Sequence, residues 1–97
     1  MVQNTNGIFT LNIKIMAAML GDIKGWLKRG QEKGATHVIV VCDTFDYDDY
    51  PVYVMPDENV REVKSRFDGK NMQRIMEVYN LSMDIEKQLK EKRAFNY

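Results

Sequence analysis

Near the middle of the chain, residues 37–42 have the sequence HVIVVC. This run is rich in β-branched residues and does not alternate with polar ones, a pattern typical of a strand buried on both faces. After an acidic turn, VYVM at 52–55 predicts the returning strand of a hairpin, and Pro51 is tolerated at the start of that strand. We therefore predict a central hairpin over about 36–55.

Apolar residues at helical spacing flank the predicted hairpin on both sides. They predict three helices, over about 22–33, 57–67 and 71–93. Gly34 is a natural C-terminal stop for the first helix. The predicted fold class is α+β, with a small antiparallel sheet packed by helices.

The predicted third helix carries a wide apolar face, which includes Met72, Met76, Tyr79 and Met83. Such a face lies in the core or forms a subunit interface, where Met and Tyr are enriched. Because symmetric association is common among soluble chains, we expect a homo-oligomer.

The length of 97 residues suits one domain. Residues 9–15 alternate apolar with polar side chains, as a half-buried strand does. The compact pattern begins only at Gly21. We therefore expect residues 1–20 to be an N-terminal leader or an appended strand, and residues 21–97 to form a single α+β domain.

The composition narrows the functional classes. Fourteen Lys and Arg residues balance 14 Asp and Glu residues, which argues against general binding to nucleic acid or to anionic membranes. Cys42 is the only cysteine, so it cannot form an internal disulfide, and a reducing compartment is expected. No apolar run approaches the roughly 18–20 residues of a membrane span. We expect a cytoplasmic protein without membrane association.

The most unusual segment is DTFDYDDY at 43–50, in which four carboxylates are interleaved with aromatic residues. It suits a solvated hairpin tip, a loop that contacts a ligand, or a site for a hard cation. A twelve-residue calcium loop needs glycine at its sixth position. Starting from Asp46, that position is Pro51, so we assign no metal ligands.

Basic residues concentrate instead between positions 61 and 74, where the sequence has five Lys and Arg residues and only two acidic ones. Arginine suits phosphate oxygens because its planar fork donates two parallel hydrogen bonds. Tyrosines can stack on a base, and carboxylates can accept from ribose hydroxyls or exocyclic amines. The alternatives are an ordinary solvated helix face and a subunit contact with the acidic segment. The predicted ligand-binding residues are Arg61, Lys64, Arg66, Arg74, Tyr47, Tyr50, Tyr53, Asp46 and Asp48.

Catalytic signals are few. His37 is the only histidine, and the chain has no nucleophile motif, phosphate loop or zinc-ligand set. We predict no catalytic residue and no cofactor, and we favour a non-enzymatic function. A metal-dependent phosphoesterase that uses Asp43 with Asp46 or His37 remains the less favoured alternative.

Three strings carry a resemblance to known proteins: GDIKGWLKRG at 21–30, GATHVIVVCDTFDYDDYPVYV at 34–54 and NMQRIMEVYNLSMDIEKQL at 71–89. They resemble a family of short, largely uncharacterised accessory proteins encoded by bacteriophages. The resemblance implies a protein that acts in the host cytoplasm against host defence. It would do so by sequestering a small phosphorylated, nucleotide-type signal, or alternatively by inhibiting a host protein through the acidic loop 43–50.

Overall fold

The computed structural model describes residues 21–97, and the leader or appended strand predicted for residues 1–20 lies outside that range. A three-stranded antiparallel sheet forms its centre, with β1 at His37–Asp43, β2 at Asp48–Val54 and β3 at Gln73–Asn80. The strand order is β2-β1-β3. The predicted α+β class and the predicted hairpin are both confirmed.

The middle strand β1 supplies both layers of the core. Val38 and Val40 belong to one buried cluster, whereas Ile39 and Val41 belong to a second. Successive side chains of a strand point to opposite faces, so the two clusters lie on opposite faces of the sheet. We call them the front face and the back face. Each fully buried branched side chain contributes about 1.5–3 kcal/mol, and both faces therefore need cover.

Helices supply that cover. The first, α1, spans 21–33 of the described residues, and its Ile23 and Leu27 pack on the front face. The predicted helix over 22–33 is confirmed. Gly34, at φ 80°, ends α1 as expected.

The second helix, α2, spans Val60–Phe67 and packs on the back face through Val63. It was predicted to begin near 57 but begins at Val60. The reason is its cap: the Asn59 side chain accepts hydrogen bonds from the backbone N–H groups of Arg61 (2.9 Å) and Glu62 (3.1 Å).

The predicted helix over 71–93 is wrong, because residues 73–80 form the strand β3. A β-bulge explains the error. Ile75 lies opposite Val41 and Glu77 lies opposite Val40, so Met76 is an extra residue in β3. The bulge places Ile75 and Val78, three residues apart, on the same back face. It therefore gives a strand the spacing of a helix.

Only the end of that predicted helix is helical: α3 spans Ile85–Lys90 and packs on the front face. The predicted methionine stripe does not exist as one surface. Tyr79 is buried and Met76 is half-buried against the front cluster. Met72 and Met83 are exposed beyond opposite ends of β3.

The outer edge of β3 is closed by the last residues of the chain. Phe95 bridges Val78 in parallel: the Val78 N–H donates to the Ala94 carbonyl at 2.8 Å, and the Asn96 N–H donates to the Val78 carbonyl at 3.0 Å. The edge of β2 has no partner strand within residues 21–97. Pro51 lies in this edge strand, where a missing N–H is tolerated.

One buried polar residue fixes the end of β3. Gln88 is 2% exposed. Its Oε1 accepts from the Asn80 N–H at 2.8 Å, and its Nε2 donates to the Asn80 carbonyl at 2.9 Å. Asn96 Nδ2 also donates to Gln88 Oε1, at 3.0 Å. This side chain takes the place of a neighbouring strand and ties α3 and the chain end to β3.

Within residues 21–97, no helix has the length and apolar character needed to cross a membrane.

Candidate functional site

The sheet has two chemically different ends. The hairpin tip, which we define as residues 43–49 with Asn71 and Met72, lies where β1 ends and β3 begins. The C-terminal end lies where β1 begins and β3 ends, beside Tyr97. β1 has seven residues, and at about 3.3 Å per residue the two ends are about 20 Å apart.

A cleft of about 400 Å³ opens at the C-terminal end. Its walls come from the end of α1, the start of β1 and the turn after β3. They are formed by Gln31, Ala35, Thr36, His37, Asn80, Leu81 and Ser82. Sequence reasoning missed this cleft because its residues come from segments that are more than 40 positions apart.

His37 is the titratable group of the cleft. Its Nδ1 lies 2.8 Å from the Thr36 hydroxyl oxygen, and its Nε2 is buried with no hydrogen-bond partner among residues 21–97. Loss of hydration lowers the pKa of His37, with a smaller opposing effect from the backbone of Tyr97. The imidazole is therefore neutral at pH 7 and presents an uncharged polar group to the cleft wall.

A pair of cations lies beside the cleft. The Arg61 guanidinium carbon is 4.1 Å from the centre of the Tyr97 ring, and the Lys64 Nζ is 5.8 Å from it. The backbone oxygen of Tyr97 accepts a hydrogen bond of 3.4 Å from the side chain of Asn80, which lines the cleft. We call Arg61, Lys64 and Tyr97 the cationic patch.

The two cations of the patch differ in how far they are neutralised. Lys64 also pairs with Asp68 at 3.3 Å. Partial burial lowers the pKa of Lys64, but Tyr97 and Asp68 raise it, and the net effect is a raised pKa. Arg61 forms no salt bridge and no side-chain hydrogen bond with any residue of the described range 21–97. The guanidinium lies over the Tyr97 ring, and its N–H donors have no partner in the part of the chain that the structure describes.

The other two predicted cations lie elsewhere. Arg66 is on another side of α2, where its Nη1 is 3.9 Å from Glu58 Oε2. Arg74 lies in β3 opposite Cys42, toward the hairpin tip. The structure therefore brings together Arg61 and Lys64 but separates Arg66 and Arg74 from them.

The predicted tyrosines also do not converge. Tyr50 packs in the back-face cluster, where its hydroxyl accepts a 2.6 Å hydrogen bond from Gln73. Tyr53 packs on the front face, and its buried hydroxyl has no partner among residues 21–97. Lys33 Nζ lies 5.0 Å from the centre of the Tyr53 ring. Tyr47 is at the hairpin tip, together with Asp46 and Asp48.

Tyr97, and none of the three predicted tyrosines, lies next to Arg61 and Lys64. The only sequence signal for it was that the chain ends in two aromatic residues, Phe95 and Tyr97, within a polar context. Their proximity to α2 depends on the pairing of residues 94–96 with β3, which no local pattern shows.

The hairpin tip is held by its own backbone. The Thr44 N–H and hydroxyl both donate to the Met72 carbonyl at 2.7 Å. Asp43 Oδ1 accepts from the Phe45 N–H at 2.9 Å. Tyr47 and Met72 have left-handed backbone conformations, with φ of 57° and 60°, which bulky residues rarely adopt. The tip presents Tyr47 at 80% exposure and Phe45 at 72%.

Catalytic arrangements are sparse in this part of the chain. Residues 21–97 contain no group of three or more His, Cys, Asp or Glu side chains that could hold a metal ion. Burial, and secondarily Asp49, raises the pKa of the Cys42 thiol, which is therefore protonated and enclosed.

Comparisons of this chain with protein-family models, with curated proteins and with solved structures find no match.

Proposed function

We propose that the protein is a non-enzymatic binding protein that holds a small phosphorylated, nucleotide-type ligand at the cationic patch. The observation that carries this proposal is the set of contacts that the Arg61 guanidinium makes. The guanidinium stacks on Tyr97 while its N–H donors have no partner among residues 21–97. A stacked guanidinium keeps its in-plane donors free for the oxygens of a phosphate.

Lys64 adds a second positive charge on the same side of α2, because residues three apart on a helix are neighbours. The exposed edge of Tyr97 and the neighbouring cleft offer a base or sugar both an aromatic surface and polar partners. The cleft supplies Thr36, Asn80 and Ser82, whose side chains can donate and accept hydrogen bonds. Tight binding without turnover is what a sequestering protein requires.

The biological setting belongs to the same proposal. The resemblance to phage accessory proteins favours action in the host cytoplasm against a nucleotide signal of host defence. Self-association, also expected from the sequence, would give each oligomer several ligand-binding sites.

The test is native mass spectrometry and calorimetry of the full chain with a panel of linear and cyclic nucleotides. We expect an intact nucleotide mass on the protein, released unchanged on heating. Replacing Arg61 and Lys64 by Ala should weaken binding at least 100-fold, since each charged hydrogen bond contributes about 1.5–3 kcal/mol and two are lost.

The matched control replaces Arg66 and Lys70 by Ala. This removes the same charge from the same basic segment, away from Tyr97, and should change affinity less than about threefold. Equal losses in the two variants would show that only net charge matters and would contradict the site. Recovery of a chemically altered nucleotide would favour a phosphoesterase, and no binding by any nucleotide would refute the proposal.

A further inference from the structure

Although the net charge of the chain is zero, the hairpin tip is mainly acidic, with Arg74 beside it, and two cations lie at the other end of the sheet. Four carboxylates lie in the hairpin tip, at positions 43, 46, 48 and 49. Arg61 and Lys64 lie at the C-terminal end. Because about 20 Å of sheet separates the two ends, these charges cannot meet within one chain.

Both ends also expose large apolar side chains. At the hairpin tip these are Phe45, Tyr47 and Met72, the last at 58% exposure. At the C-terminal end Met83, Phe95 and Tyr97 are exposed, next to the open cleft of about 400 Å³. Contiguous apolar surface with a polar rim is typical of a protein contact.

The hairpin tip presents exposed aromatic side chains, and the C-terminal end contains a cleft that such a side chain could enter. Two hydrogen bonds from Thr44 to the Met72 carbonyl fasten the two loops of the tip to each other. A surface held in this way loses little conformational entropy on binding. Because the tip and the C-terminal end lie at opposite ends of the sheet, its exposed aromatic rings can reach the uncharged cleft and the neighbouring cationic patch only on another molecule.

We propose that the hairpin tip of one chain docks onto the C-terminal end of a second copy. Phe45 or Tyr47 would enter the cleft, and Asp46 and Asp48 would face Arg61 and Lys64. Both halves of this contact are present on the same chain, which is why a second copy is the occupant inferred. The contact joins two different surfaces, so copies assemble head to tail into a ring or an open chain.

The assembly needs no ligand and is tested without one, because a phosphate would compete for the same donors of Arg61. Sedimentation velocity of the full chain, up to about 1 mM protein, should show association that grows with concentration and weakens with salt. A tip variant (Asp46→Lys with Asp48→Lys) and an end variant (Arg61→Glu with Lys64→Glu) should each be monomeric. A control with Lys24→Glu and Arg66→Glu, both exposed and outside the two surfaces, should associate like the parent chain.

Mixing the tip variant with the end variant gives the decisive result. The tip variant retains a working C-terminal end, and the end variant retains a working tip. An equimolar mixture should therefore associate although neither variant does so alone: the unchanged tip meets the unchanged end, and the two reversed surfaces, lysines on one and glutamates on the other, also attract. Urea unfolding of each variant alone verifies that both are folded.

A parent chain that stays monomeric throughout this range would overturn the proposal. So would association that survives in both variants, or two folded variants whose mixture does not associate. Since no nucleotide is present, these outcomes leave the proposed ligand binding to its own test. Capture of a foreign basic protein by a monomeric parent chain would reassign the hairpin tip to that partner.

Discussion

The two ends of the sheet, the hairpin tip and the C-terminal end, differ in which side chains they bury and which they expose. At the C-terminal end, the buried Gln88 side chain is fully paired, with Asn80 on one side and Asn96 on the other. At the hairpin tip, aromatic residues are exposed on left-handed backbone. The first end stabilises the fold, whereas the second end contributes surface at little cost to the fold.

The largest expected effect tests the stabilising role of the C-terminal end. Replacing Gln88 by Leu leaves the N–H and carbonyl of Asn80, which are partly buried, without their partners. We expect a loss of about 3 kcal/mol in the free energy of unfolding, because buried unsatisfied groups cost about 1–3 kcal/mol each. Urea denaturation measures it.

The control for Gln88 is Gln31→Leu, on the exposed surface of α1, which should change stability by less than about 0.5 kcal/mol. Equal losses of unfolding free energy at positions 88 and 31 would show that the hydrogen bonds of Gln88 do not stabilise the C-terminal end.

A pair of glycines in α1 tests how closely that helix approaches the C-terminal half of the sheet. A Cβ at Gly30 would lie 2.9 Å from Val38 Cγ2 and 3.0 Å from Leu81 Cδ1, whereas one at Gly25 would meet nothing within 4 Å. We expect Gly30→Ala to cost about 1–2 kcal/mol and Gly25→Ala to stabilise by about 0.5–1 kcal/mol. Thermal or urea unfolding of both variants gives the signs; the same sign at both positions would mean that α1 packs differently.

A pH series tests the polar environment of His37. The unfolded chain takes up this proton near pH 6.5, whereas the folded chain takes it up only at lower pH. The unfolded state therefore binds more protons between these two values, and stability falls as the pH drops below about 6.5 until the folded pKa is passed. Urea unfolding at about pH 7.5 and 5.5 should show this fall.

The variant His37→Gln should lose that part of the pH dependence. Burial raises the pKa of Glu77, which gives the opposite slope at lower pH, but this contribution is common to both proteins and cancels in their difference. Identical pH profiles for the parent chain and His37→Gln would show that the imidazole keeps its hydration when folded.

The smallest expected effect is at the hairpin tip. Phe45→Ser should change the free energy of unfolding by less than about 0.5 kcal/mol, because the ring is 72% exposed. The same substitution at Phe67, which packs in the back-face cluster, should cost several times more. A large loss at Phe45 would erase the distinction between the two ends.

Much of the fold could be predicted from local patterns. The run at 38–42 contains its own signal for a doubly buried strand, and Gly34 its own signal for a helix end. These predictions succeeded because the deciding interactions lie within a few residues of each other. The helix predicted over 57–67 begins three residues later, at Val60, because Asn59 supplies the cap.

The strand β3 and the composition of the cationic patch could not be predicted in this way. In β3 the bulge at Met76 changes the spacing of same-face residues from two to three, which local analysis reads as a helix. For the cationic patch, the sequence indicated basic residues and tyrosines that are close to one another along the chain. The structure selects Arg61, Lys64 and a tyrosine more than 30 positions away.

The sequence alone determined the fold class, the hairpin, two of the helices and the segregation of charge along the chain. Periodicity, helix caps and composition depend on residues that are close together along the chain, so the sequence shows them directly. Only the tertiary structure decided that residues 73–80 complete the sheet and that Tyr97 lies against α2. Because β1 is buried, the backbone N–H and C=O groups along both of its edges need hydrogen-bond partners, and β2 and β3 supply them, one on each edge.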